Sequence, residues 1–82
     1  MTTVRIFEVY EDGNEKSMIA RVTEEQLDAI RTFLLVEGGS EVRTENRKKG
    51  VFRVLAPCMK PFIKQIENRW SSIKFVDMRK VQ

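Results

Sequence analysis

"TEEQLDAIRTFLLVEGG" (residues 23–39) is the stretch on which the fold turns. Thr23 with Gln26 three positions later forms a capping box, in which each side chain satisfies a backbone donor that the start of a helix leaves unpaired. Glu24, Glu25 and Asp28 fall in the first turns, where negative charge suits the helix dipole. Leu27, Ile30 and Leu34 recur at i, i+3 and i+7, and Phe33 widens the apolar stripe they form. Gly38-Gly39 ends the helix, because glycine accepts the left-handed backbone that helix C-termini use. The carboxylates are therefore read as helix-start residues and "VEGGS" (36–40) as a C-cap, since phosphate-binding loops open helices rather than close them.

On either side of this helix the pattern changes to alternation. "TVRIFEVY" (3–10) and "SMIARV" (17–22) are rich in residues that fit a pleated surface. "EDGN" (11–14) between them carries Asp12-Gly13, a hairpin signal. After the helix, "SEVRTE" (40–45) and "VFRVLA" (51–56) flank "ENRKKG" (45–50) as a second hairpin. Phe52, Val54 and Ala56 are expected to face the core, and Val51, Arg53 and Leu55 to face outward. "APCMK" (56–60) reads as a connector. A second helix from Pro61 to about Ser72 places Ile63, Ile66, Trp70 and Ile73 on one stripe, and Pro61 suits its first turn. "KFVDMRKV" (74–81) closes as a strand.

The order is β-β-α-β-β-α-β, an α+β single small domain spanning residues 1–82, with an antiparallel sheet and two helices packed on one face. "EVYEDGNEKSMIARV" (8–22) and "EVRTENRKKGVFRVL" (41–55) align without a gap, which suggests an internal ββα repeat with units 4–39 and 40–81. The other face of the sheet is expected to stay partly open to water.

Composition narrows the function classes. The chain has 82 residues, 41% hydrophobic and 33% charged, with no His and a single Cys. A chain this short buries only ~60–65% of its unfolded surface, so its core is thin. Cys58 cannot form an internal disulfide, and it reads as a packing residue even with Lys60 close by in sequence. Without His the usual zinc sites, the commonest general base and every Ser-His or Cys-His nucleophile drop out. A non-enzymatic protein with no cofactor or metal is expected. No apolar run nears the ~20 residues that cross a bilayer, and "MTTVRIFEVY" reads as a strand rather than a signal peptide, so a cytoplasmic location without membrane contact is expected.

Charge divides along the chain. Through residue 42 there are nine acids and four bases, a net of −5; from Arg43 onward there are eleven bases and three acids, a net of +8. Arg43, Arg47, Lys48, Lys49 and Arg53 fall within one hairpin, and Lys60, Lys64 and Arg69 sit off the apolar stripe of the second helix. Long cations gathered in this way reach phosphates and release condensed counterions. These eight residues are the candidate nucleic-acid contacts, to DNA or RNA, mainly along the phosphate backbone. Base stacking is not evident from this stretch, because its aromatic, Phe52, is expected to face inward. The alternative is a protein-binding regulator, an inhibitor or adaptor of the kind phage and mobile elements encode. It would dock on a larger complex, or self-associate as a homodimer, and the acidic first tip, Glu11, Asp12 and Glu15, would take part.

Overall fold

A computed structural model describes residues 1–45 and 48–80, apart from the side chains of Glu45, Lys48, Lys49 and Lys80. Asn46, Arg47, Val81 and Gln82 lie outside the described residues. The elements are β1 (Thr2–Val9), β2 (Glu15–Val22), α1 (Glu24–Gly38), β3 (Val42–Glu45), β4 (Lys48–Leu55), α2 (Met59–Arg69) and β5 (Val76–Asp77). The α+β class and the expected element order are both present. The closing strand is shorter than expected, two residues followed by a 3-10 turn at Met78–Lys80.

The capping box of α1 forms as the sequence indicates. The Gln26 N–H donates to Thr23 Oγ1 at 3.1 Å, and the Thr23 N–H donates to Gln26 Oε1 at 2.9 Å. Gly39, at φ +52°, turns the chain out of the helix while its N–H still donates to the Leu35 carbonyl. Helix α2 begins two residues earlier than expected and ends at Arg69, leaving Trp70 as its cap and Ile73 buried in the segment beyond.

The five strands lie in the order β3-β4-β1-β2-β5. Pairs β1–β2, β3–β4 and β2–β5 are antiparallel, but β1 and β4 run parallel, with Ile6 beside Phe52 and Glu8 beside Val54. The sheet is thus mixed rather than wholly antiparallel. The single helix between β2 and β3 carries the chain back so that β3 runs in the same direction as β2, which leaves the two hairpins pointing opposite ways. The hairpins then meet through β1 and β4, strands of like direction. Gly50 permits this approach, because a side chain there would run into the Thr3 carbonyl oxygen.

Both helices cover one face. Val4, Ile6, Ala20, Val22, Val42, Phe52 and Val54 from the sheet join Leu27, Ile30 and Leu34 of α1 and Met59, Phe62, Ile63 and Ile66 of α2 in one core. Phe33 and Phe62 meet edge to face at 6.0 Å and tie the helices together. The element order repeats, but the dimensions do not: α1 has 15 residues against 11 in α2, and β1 has eight against four in β3.

Candidate nucleic-acid interface

Alternation along the strands sets which side chains reach the uncovered face. With Val4, Ile6 and Glu8 buried, Thr3, Arg5, Phe7 and Val9 project the other way from β1. Register extends this set across the sheet. Arg53 of β4 lies beside Phe7, Arg43 of β3 is directly opposite Arg53, and Ser17 of β2 is opposite Phe7 on the other side. Arg21 stands opposite Thr3. Four arginines, at 5, 21, 43 and 53, therefore share the open face, and two of them, Arg5 and Arg53, meet the ring of Phe7. The Arg53 guanidinium lies 5.0 Å from the Phe7 ring centroid and that of Arg5 lies 5.8 Å from it.

Arg53 also approaches Glu15, with Nε 3.9 Å from Oε1. Among the described residues Arg43 has no carboxylate within ion-pair distance. Below this row, Val9, Leu55, Glu15, Glu41, Arg43 and Arg53 line a recess of about 260 Å³ at the C-terminal ends of the parallel pair.

Of the eight cations singled out from sequence, Arg43 and Arg53 are brought side by side. Arg47 lies outside the described residues, and for Lys48 and Lys49 the backbone in β4 is what is described. Lys60, Lys64 and Arg69 are exposed on α2, which packs on the opposite side of the sheet. The fold therefore separates them from Arg43 and Arg53. Arg69 covers the ring of Trp70 at 4.8 Å, which leaves that indole half-buried at the end of α2 instead of deep in the core. In the acidic group, Glu11 and Asp12 are exposed at the first turn and Glu15 opens β2.

Arg5, Phe7 and Arg21 were not among the sequence candidates. Their signal was available in the period of two: once Val4 and Ile6 turn inward, Arg5 and Phe7 must turn outward. Glu8 was missed as well. It is 7% exposed, on the core side, and its Oε2 accepts the Met59 N–H at 3.2 Å. It thereby supplies from β1 the N-terminal partner that Cys58, the residue before α2, does not provide. Glu8 Oε1 accepts from the Tyr10 hydroxyl, and this bond to a carboxylate is the main reason the phenol is held above its ordinary pKa.

The thiol of Cys58 donates to Glu41 Oε2 at 3.2 Å, and that bond, followed by burial, raises its pKa. The Lys60 neighbour does not make it a thiolate. Among the described residues no group of three His, Cys, Asp or Glu side chains is placed to hold a metal, and no helix is long and apolar enough to cross a membrane. No family model, curated protein or solved structure matches the chain. The functional reading accordingly rests on its own residues.

Proposed function

We propose that this protein is a small non-enzymatic module that binds nucleic acid along its phosphate backbone, through the open face of the sheet. The observation that supports this is the cross-strand pair of Arg43 and Arg53, with Arg5 and Arg21 on the same face. Like charges directly opposed in a ladder destabilise a sheet by a few tenths of a kcal/mol up to about 1 kcal/mol. Glu15 offsets part of this at one edge. An anionic polymer lying over the row would add to that compensation and release counterions as it does so. Lys48 and Lys49 belong to β4 of the same hairpin, whereas Lys60, Lys64 and Arg69 lie on the other side of the sheet and are not needed by this face.

The test is fluorescence anisotropy with a labelled oligonucleotide between about 50 and 200 mM salt. Binding should weaken steeply with salt. Arg43→Ala should make the log–log slope shallower by about 0.7–0.9 for each phosphate that the variant no longer neutralises, while Lys60→Ala with Lys64→Ala leaves it unchanged. Salt-independent binding, or none, removes the reading.

A second reading, docking on a protein, draws on a different feature. Met18, Met59, Pro61, Ile63 and Phe75 floor an open groove of about 710 Å³, with Lys60, Lys64 and Glu67 at its rim. An apolar floor with cationic edges fits a segment that mixes acidic and apolar residues. A defined protein partner retained after nuclease treatment, and released by Lys60→Glu with Lys64→Glu, would favour it.

A further inference from the structure

The open face holds a group that phosphate binding alone does not employ. Phe7 sits on β1, the middle strand of five, on the side away from the core, and is half-buried by its neighbours. Arg53 reaches its ring from β4, and Arg5 reaches it from two residues back on the same strand. Arg43, Arg53 and Phe7 stand in one row on three adjacent strands, stepping ~4.8 Å at a time.

We infer that this face takes single-stranded rather than duplex nucleic acid, with a base stacked at Phe7 and its flanking phosphates on the surrounding arginines; the inference rests on the phosphate-binding function proposed above. Two physical reasons carry it. The first is shape. Five strands side by side span roughly 19 Å, which is wider than the ~12 Å major groove. The face cannot enter a duplex, and Phe7 in its middle would meet backbone and no base. The second is chemistry. A single strand presents unstacked bases, every base has a π face, and both aromatic rings and planar guanidinium groups stack on it. Phe7 with Arg5 and Arg53 offers one aromatic surface and two planar cations within a single patch. Arg43, one strand beyond Arg53, then lies within reach of a neighbouring phosphate. Stacking of this kind tolerates any base, so the expected sequence preference is slight.

The experiment titrates the wild-type chain into labelled oligothymidylate, oligouridylate and a DNA duplex of equal length at one salt concentration. The single strands should bind at least about tenfold more tightly than the duplex, the factor that one good stack supplies. The two single-stranded arms separate DNA from RNA as sources of the same chemistry. Phe7→Leu should weaken single-strand binding roughly 5- to 100-fold while preserving the salt slope, whereas Arg43→Ala should lower the slope. The Phe7 ring protons should also move upfield when oligothymidylate is added, a readout that needs no variant. Equal or tighter duplex binding overturns the single-strand inference, as does an inert Phe7→Leu beside an effective Arg43→Ala; in both cases backbone binding stands. Absence of salt-dependent binding to every probe overturns both.

Discussion

Arg53 Nε stands 3.9 Å from Glu15 Oε1, and this pairing passes over β1 to join the basic second hairpin to the acidic first one. Both side chains are more than a third exposed, so the pair adds no more than about 0.5 kcal/mol to stability. Its larger effect is on charge. Glu15 places a carboxylate beside the arginine row, where under the proposed function it would repel an arriving phosphate. Glu15→Gln should therefore tighten oligonucleotide binding about two- to fivefold at low salt, with the gain fading as salt screens the face. Anisotropy measures this directly. A weaker complex after the substitution would instead indicate that the acid itself touches the ligand, as a protein partner would require.

Glu8 has a structural task. Glu8→Ala removes the acceptor for the Met59 N–H at the start of α2 and for the Tyr10 hydroxyl. Leaving such a buried donor unpaired costs ~1–3 kcal/mol, which urea denaturation would register as an earlier midpoint with the slope retained. The Tyr10 phenol should at the same time titrate at lower pH than in the parent, by ultraviolet absorbance, because the carboxylate that holds it protonated is gone. An unchanged midpoint would mean that α2 starts equally well without help from β1.

Gly50 is a packing requirement within β4. An added methyl would collide with the Thr3 carbonyl oxygen, which is backbone and cannot swing aside. Gly50→Ala should destabilise the chain by roughly 1–3 kcal/mol through strain in the parallel pair. Amide hydrogen exchange should quicken first along β1 and β4. Uniform protection in the variant would show that these strands can separate without cost.

Cys58 should react slowly with alkylating agents below pH 9.0, its ordinary pKa, because the bond to Glu41 favours the protonated thiol. Glu41→Gln removes that charge and should speed alkylation several-fold. The sign for stability follows from the same bond. With the folded pKa raised, the contribution of the bond is complete below about pH 9, where the unfolded thiol is still protonated, and declines as pH rises through the folded value. A stability that climbs across that range would contradict the assignment.

Much of the fold could be read directly from the chain. The α1 capping box, the inward set Phe52 and Val54, and the sequence of strands and helices all come from local rules, a period of two for strands and of 3.6 for helices. Arg43 and Arg53 were likewise recognisable as candidates, since both fall outward on adjoining strands of one hairpin. The contribution of β1 was harder to see. Phe7 looks like a core aromatic until the opposite alternation of Val4 and Ile6 is taken into account. The cations of α2 posed the reverse difficulty: in sequence they extend the basic half, and in space they stand behind the sheet.

Residue pattern along the backbone settled which elements form and which way each side chain points, because those choices depend on neighbours a few positions away. Strand order was settled elsewhere. Pairing β1 with β4 in parallel joins residues more than 40 positions apart, and alternation alone fits several neighbours equally well. That single long-range pairing brings Arg53 onto Phe7 and within reach of Glu15, and so joins residues of two hairpins of opposite charge in the face proposed to bind.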